Sequence, residues 1–268
     1  MVHSPQSIAI QNIEELLVRS AVYHALGVLL RYPEASAEKW FAQGEHRQLP
    51  LLLKQVDRGG AARLDALGQR VVHLLNETSF SGWVRQHEQL FGHAVQGTSP
   101  PYELEYGEEH SHRQPQELSD IAAFYAAFGL RIATSSHERV DHIATQCEFL
   151  HYLLYKHACA IDESHSEHGT VCEEAVGRFL ADHVGRWGPA FALRLSRSSS
   201  PLFTAVGALL LTWVVEECGR MKVSAGSCDL PLRMPKERDD VGCAACLPAA
   251  PDGPAQAGTL QPGQANGC

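Results

Sequence analysis

Apolar residues recur every three or four positions over most of the chain, which is the spacing that places them on one face of an α-helix. The first such stripe consists of Ile10, Ile13, Leu17, Ala21 and Val28. Its helix should end before Pro33, because proline disfavours the helical conformation of the residue that precedes it. No segment combines a sustained period of two with β-branched residues, so the pattern indicates an all-α protein.

The same pattern predicts further helices over residues 40–56, 64–75, 83–91, 118–128 and 171–184. A long helix should begin near Glu138, where Ser135 and Glu138 fit a capping box. The buried stripe of this helix would consist of Val140, Ile143, Cys147, Leu150, Leu154 and Ile161. These elements predict roughly eight or nine helices packed in one bundle-like domain.

The last predicted helix begins at Ser200-Pro201, where a serine N-cap is followed by proline in the first turn. The helix carries no charge from Leu202 to Val215, so it should lie in the core. This apolar run is shorter than the roughly 20 residues that span a bilayer. No Lys or Arg precedes an apolar run within Met1 to Ile10, so we expect no secretory signal and a cytoplasmic protein.

The helical pattern stops near Gly226. Beyond it, residues 247–268 contain four Pro and four Gly, a proportion typical of low-complexity sequence. We therefore divide the chain into an all-helical domain at 1–225 and a mostly irregular tail, rich in Cys, Pro and Gly, at 226–268. A chain ended after Lys222 is expected to keep a folded core.

Charge and motifs exclude several function classes. The 22 Lys and Arg against 31 Asp and Glu give a net charge of −9, which disfavours nucleic acid and anionic membranes as partners. The chain contains no glycine-rich phosphate loop, nucleophile elbow or His-Glu-x-x-His motif. We therefore expect no catalytic residues and no cofactor.

Two patterns leave a metal-binding protein, an iron or zinc sensor or enzyme, as the alternative. Glu148-x-x-His151 resembles half of a di-iron site, and its one counterpart, Glu109-x-x-His112, falls in a loop. The tail adds four thiols, those of Cys228, Cys243, Cys246 and Cys268, enough in number for a tetrahedral zinc site or an iron–sulfur cluster. Cys243 and Cys246 form its single C-x-x-C pair, so the spacing favours ordinary thiols over a metal site.

A long connection, residues 93–116, interrupts the helices and contains the run Pro100-Pro101-Tyr102-Glu103-Leu104-Glu105-Tyr106. Loops of this length inside a helical domain often carry function.

Three segments resemble the TorD/DmsD/NarJ family of cytoplasmic chaperones for molybdenum oxidoreductases, over roughly residues 15–222. The segments are Arg19…Tyr23…Leu26…Leu29-Leu30…Pro33, then Leu90-Phe91-Gly92 with Pro100-Pro101-Tyr102-Glu103…Tyr106, and then Glu138-Arg139-Val140-Asp141-His142-Ile143…Glu148-Phe149-Leu150. One position departs from the family pattern, because His87 stands where the family often has an aromatic residue.

The resemblance implies a protein that binds an apo-molybdoenzyme catalytic subunit and its N-terminal signal peptide until the cofactor is inserted, and that blocks premature export. The residues that it implicates in client binding are Leu90, Phe91, Pro101, Tyr102, Asp141 and His142. It leaves the choice between monomer and homodimer open. A helical adaptor without a role in cofactor insertion is a weaker alternative.

A helical projection gives an independent view of this site. At 100° per residue, Asp141 would lie opposite the core stripe, and Glu138 would lie one turn before His142, where it could hold a proton on the imidazole. Solvent-facing Asp141 and Glu138 would then suit the basic residues of a client peptide. Replacing Asp141 and His142 by alanine is expected to weaken client binding without unfolding the domain.

Overall fold

The computed structural model describes residues 5–57, 64–92, 98–107, 114–133 and 138–233. These ranges contain ten α-helical segments: α1 (Pro5–Leu30), α2 (Ala35–Ala42), α3 (Leu49–Val56), α4 (Leu64–Glu77), α5 (Phe80–Phe91), α6 (Gln114–Ala127), α7 (Ile143–Asp162), α8 (Ser166–Phe179), α9 (Gly185–Leu195) and α10 (Pro201–Met221). A π-helical turn, Leu180–Val184, joins α8 to α9 without a break. Within the described ranges the chain pairs as β-structure only at two isolated bridges, which confirms the all-α prediction.

Helices α7 and α10 each pack against several others. Helix α1 lies along one side of α7 and α8 along another, while α10 packs against α9 and α4. The interior between them is filled by large side chains, among them the fully buried Trp83, Trp187, Trp213, Tyr23 and Tyr106. Burial of apolar surface stabilises a fold by about 25 cal/mol per Å². The burial of these side chains is therefore the main force that holds the helices together.

Helix α10 begins as predicted. The Ser200 hydroxyl accepts a hydrogen bond from the Phe203 N–H at 3.3 Å, and Pro201 occupies the first turn. The helix continues to Met221 and is long and apolar enough to cross a membrane, but most of its residues are buried inside the protein. Its apolarity is therefore that of a core helix.

Two predicted helix boundaries are wrong. The helix expected over residues 40–56 is divided, because Gly44 adopts a left-handed φ of 72° and α3 starts afresh at Leu49. The long helix begins at Ile143 rather than near Glu138. Ser135 lies outside the described residues.

The first helix is confirmed, but its buried face is not the predicted stripe. Ile10 is 52% and Leu17 is 41% exposed, whereas Leu16, Tyr23 and Leu26 are buried. Because α1 carries apolar residues on more than one side, the periodicity could not show which side α7 covers.

A buried ion pair fastens α1 to α10. The Arg19 guanidinium donates to Glu217 through Nε and Nη2, each at 3.0 Å, and Arg220 Nε lies 3.1 Å from the same carboxylate. Removing one partner of such a pair would leave a buried charge uncompensated.

Residues 223–233, here called the C-terminal strap, return across the helical body. The Gly226 N–H donates to Gly185 O at 2.8 Å, and the Gly107 N–H donates to Pro231 O at 2.8 Å. The Arg233 N–H donates to Glu105 O at 2.8 Å. The compact unit thus extends to Arg233, and the remainder of the predicted tail lies outside the described residues.

Candidate functional site

Two irregular segments meet at the start of α7: residues 98–107, here called the tyrosine loop, and residues 138–142, the entry segment. The Ile143 N–H donates to Pro101 O at 2.9 Å, and the Glu103 N–H donates to Asp141 O at 3.0 Å. Tyr102 and His142 form an antiparallel bridge. Four of the predicted residues, Pro101, Tyr102, Asp141 and His142, are therefore brought together.

Asp141 is fully buried, so the prediction that it faces solvent is wrong. Its carboxylate accepts hydrogen bonds from Arg139 Nε at 2.9 Å and Nη2 at 2.8 Å, and from the Leu104 N–H at 3.2 Å. Burial raises the pKa of Asp141, although Arg139 and these hydrogen bonds oppose the shift. The helical projection fails because the entry segment is not helical.

His142 is buried and caps α7, since its Nδ1 accepts a hydrogen bond from the Ala144 N–H at 3.1 Å. Burial lowers its pKa to about 3, so the imidazole is neutral near pH 7. Because Nδ1 accepts, the neutral ring carries its hydrogen on Nε2, which lies 3.6 Å from Glu138 Oε2. Glu138 and His142 are neighbours, as predicted, but the expectation that Glu138 keeps the imidazole in its charged, doubly protonated form is wrong.

Arg139 supplies the accessible charge beside the tyrosine loop. Its guanidinium carbon lies 4.5 Å from the centroid of the half-buried Tyr102 ring, within the range of a cation–π contact. The Arg139 side chain is 40% exposed and also lies 3.5 Å from Glu105 Oε1. Arg139 thus offsets the negative charge of the buried Asp141, and the accessible surface here consists of Arg139, Glu105 and the half-buried Tyr102 ring.

Glu103 fastens the tyrosine loop to α7 and α9, a role that the sequence pattern did not indicate. This buried carboxylate accepts from Arg186 Nη2 at 2.5 Å and from Gln146 Nε2 at 2.5 Å, and it contacts His183 Nδ1 at 3.2 Å. Burial by itself would raise the pKa of Glu103, but the hydrogen bonds and charges of His183 and Arg186 outweigh it and lower the pKa. The sequence offered one indication of this role, an acidic residue between Tyr102 and the apolar Leu104 in the loop.

A groove of about 650 Å³ opens between α1, the end of α6 and α7; we call it the Glu138 groove. Its lining includes His24, Arg31, Tyr32, Glu34, Tyr125, Arg131, Glu138, Glu148, Phe149, His151 and Tyr152. Arg31 Nη2 lies 2.6 Å from Glu148 Oε2, so this pair is neutral as a unit. The groove therefore combines aromatic walls with two further carboxylates, those of Glu34 and Glu138, and Arg131.

Leu90 and Phe91 lie elsewhere. Leu90 lines a separate depression of about 340 Å³ together with Pro201 and other residues of α4, α5 and α10. The Phe91 ring packs against His87 at 4.7 Å and Phe203 at 5.4 Å between centroids. Both residues are half-buried against the core, so the structure does not place them in the Glu138 groove.

His87, the position singled out above as a departure from the family pattern, lies among aromatic rings. Its ring contacts Tyr32 at 5.5 Å as well as Phe91, and Tyr32 lines the Glu138 groove. Burial lowers the pKa of His87 to about 4, so the ring is uncharged near pH 7. A neutral imidazole can therefore pack here as an aromatic side chain does.

The alternative of a metal site gains no third ligand from the described residues. Glu148 is paired with Arg31, and His151 Nδ1 lies 2.8 Å from the Ser20 hydroxyl. In these ranges no three His, Cys, Asp or Glu side chains converge to hold a metal ion. Glu109, His112, Cys243, Cys246 and Cys268 lie outside the described residues, and Cys228 is half-buried.

Comparison with known proteins identifies the family. Residues 54–193, which include both the tyrosine loop and the entry segment, match the nitrate reductase delta subunit family. The chain is 27% identical to the perchlorate reductase assembly chaperone protein of Dechloromonas aromatica (strain RCB), over 67% of this chain and 79% of that protein. It is also 27% identical to the selenate reductase assembly chaperone protein of Thauera selenatis, over 65% of this chain and 84% of that protein. The chain therefore belongs to the nitrate reductase delta subunit family, the NarJ/TorD-type redox enzyme maturation proteins.

Proposed function

We propose that this protein is a cytoplasmic, system-specific chaperone that binds an immature molybdenum-containing oxidoreductase subunit. It would hold the signal segment and apo-body of that client, assist insertion of the molybdenum cofactor, and release the subunit for assembly or Tat export. The chaperone itself would carry no cofactor and catalyse no reaction. The family and the two relatives, both assembly chaperones for reductases, support this proposal.

The Glu138 groove is the observation that carries the binding step. A twin-arginine signal segment combines basic residues with an apolar stretch. The groove offers both complements, because Glu34 and Glu138 lie in a concave surface whose walls include Tyr32 and Phe149. Glu138 and Glu34, rather than Asp141, would then meet the basic residues of the client.

The other predicted residues then take different roles. Tyr102 is half-buried and remains available for client contact, with Arg139 over its ring. Pro101, Asp141 and His142 are buried and would position Tyr102 and Glu138 rather than touch the client. Leu90 would meet the client only at the separate depression beside Pro201, whereas Phe91 packs on His87 and Phe203 and lines neither that depression nor the Glu138 groove.

Affinity capture from the native cell, with the full-length chain as bait, tests the proposal. We expect an apo-molybdoenzyme catalytic subunit to be retained, and its N-terminal peptide to bind the purified chaperone in calorimetry. Glu138→Lys should weaken peptide binding by about tenfold or more, because it places a cation where basic residues would dock. Glu163→Lys, at an exposed carboxylate after α7, is the matched control and should bind as the wild type does.

Two results would overturn the proposal. One is capture that retains no molybdoenzyme subunit. The other is an N-terminal client peptide that binds Glu138→Lys and the wild-type chain with the same affinity.

A further inference from the structure

A second groove, of about 700 Å³, lies between α6 and α8, on residues that the proposed function does not use. Ala123, Phe124 and Ala127 of α6 form one wall, and Val171 and Ala175 of α8 form the other. Val171 is 53% exposed and adds an aliphatic side chain to the lining of the groove. No charged residue occurs in α6 from Ile121 onwards, so this wall is apolar along its length. We call this surface the α6/α8 groove.

Phe124, in the α6 wall of the groove, packs on a cluster of aromatic rings behind it. The Phe124 ring lies 5.3 Å from Phe179, 6.0 Å from Phe149 and 6.0 Å from His183 between centroids. Each contact has a steep interplanar angle, the edge-to-face arrangement that aromatic pairs favour. These contacts hold the Phe124 ring in place in the wall of the groove.

The rim of the groove is predominantly acidic. Asp120 stands at the α6 end, and Glu174, Arg178 and Asp182 line the α8 side. Arg178 Nε lies 3.8 Å from Asp182 Oδ2, so these two charges offset each other. Asp120 and Glu174 leave the rim with a negative charge on both walls.

We propose that the α6/α8 groove binds a basic amphipathic helix of the client subunit, at a surface separate from the Glu138 groove. The identity of the client rests on the proposed chaperone function. The chemistry of the groove does not depend on it. Alanine at positions 123 and 127, one helical turn apart, lets a partner helix approach closely. Its apolar face would cover Val171 and Phe124, and its flanking Lys or Arg residues would meet Asp120 and Glu174.

The acidic rim argues against a lipid membrane as the partner of this apolar groove. Anionic lipid headgroups would be repelled by Asp120 and Glu174, whereas the flanks of a basic helix would be attracted. The same charges exclude an acidic helix.

Fluorescence anisotropy with the full-length chain tests this site. The probe is a labelled synthetic helix of about 18 residues, with leucines at positions i, i+3, i+4 and i+7 and lysines on its flanks. We expect saturable binding, and much weaker binding of the same peptide with glutamate in place of lysine. Ala123→Arg and Val171→Arg should each weaken binding of the lysine peptide by about tenfold or more, because they fill the groove with a cation.

Ala122→Arg is the matched control, because Ala122 is the exposed neighbour on the same helix and does not line the groove. It should bind the lysine peptide within about twofold of the wild type, a difference of less than 1 kcal/mol. Thermal unfolding followed by circular dichroism would verify that all three variants are folded. Because the substituted side chains are exposed, their midpoints should match the wild type.

The proposal is overturned if the lysine peptide does not bind, if the glutamate peptide binds equally well, or if Ala123→Arg and Val171→Arg bind the lysine peptide as the wild type does. It is overturned as well if Ala122→Arg weakens binding as much as Ala123→Arg. It is also overturned if vesicles of phosphatidylcholine and phosphatidylglycerol bind the protein and displace the peptide. Capture of the client subunit is a separate readout. A wild-type chain that captures the client subunit but does not bind the lysine peptide rejects this groove alone, whereas capture without any molybdoenzyme subunit rejects the proposed function.

Discussion

The Tyr102 ring stands edge-on to the His142 imidazole, with centroids 5.2 Å apart and planes inclined by 72°. The two residues are 40 positions apart in the chain and are joined by a backbone bridge as well as by their rings. This contact makes the tyrosine loop and the entry segment one structural unit at the start of α7. Substitution of the buried residues of this unit should therefore lower the stability of the fold.

Acidification should destabilise the fold through His142. The pKa of His142 is about 3 in the folded protein and about 6.5 when the side chain is exposed. Below pH 6.5 the unfolded chain therefore binds a proton at this histidine that the folded chain does not bind. Stability is therefore lost as the pH falls, by about 1.4 kcal/mol per pH unit for one such histidine. His142→Asn keeps an N-cap acceptor for α7 but cannot titrate, so its stability should fall less between pH 7 and pH 5.

Urea denaturation at pH values between 7 and 5 would measure this difference. His165→Asn, a change at an exposed histidine before α8, is the control and should show the wild-type slope. Equal slopes for His142→Asn and the wild type would contradict the buried, neutral state of His142.

Asp141→Ala should destabilise the domain. The substitution leaves Arg139 without its bidentate partner and removes the acceptor of the buried Leu104 N–H, at a cost of about 2–4 kcal/mol. Asp141→Asn should cost less, because it keeps an oxygen for Leu104 and avoids burying a charge. This replaces the expectation that alanine at Asp141 and His142 leaves the fold intact. Chemical denaturation would check it, and equal stability of Asp141→Ala and the wild type would contradict it.

Glu103→Ala should loosen the tyrosine loop. The change leaves Gln146 without one of its partners and removes the carboxylate that Arg186 and His183 share, which should cost about 3 kcal/mol. Hydrogen exchange of the Glu103 and Tyr106 amides should accelerate, while amides in the middle of α10 should follow only the global loss of stability. Glu105→Ala is the control, since that side chain is half-exposed and should leave exchange in the loop nearly unchanged.

The C-terminal strap should be required for full stability. A chain ended after Lys222 loses the hydrogen bonds from Gly226 to Gly185 and from Gly107 to Pro231, so its thermal midpoint should fall. A chain ended after Arg233 keeps these contacts and should unfold like the full-length protein. Gly226→Ala tests the same contact within the full chain, because a Cβ there would lie 1.9 Å from the Arg186 carbonyl oxygen. Equal midpoints for the chains ended at Lys222 and Arg233 would show that the strap contributes nothing.

The all-α class, most of the helices and the serine cap of α10 were predictable because they depend on neighbours three or four residues apart. The same is true of the α7 core stripe, in which Ile143, Cys147, Leu150 and Leu154 are buried as predicted. Local spacing carries this information because helical hydrogen bonds and one-sided burial act over a single turn. The family resemblance indicated which segments form the site, but not how the side chains of those segments are oriented.

The orientation of the site was decided by contacts between residues far apart in the chain. Asp141 is buried because the Leu104 N–H and the Arg139 guanidinium enclose it, and His142 is neutral because the tyrosine loop covers it. Periodicity likewise does not specify which side of α1 is exposed. Nor does it specify which residues Glu103 and the C-terminal strap contact. Burial and charge state are properties of the assembled environment, so they followed from the tertiary packing and not from the order of residues along a helix.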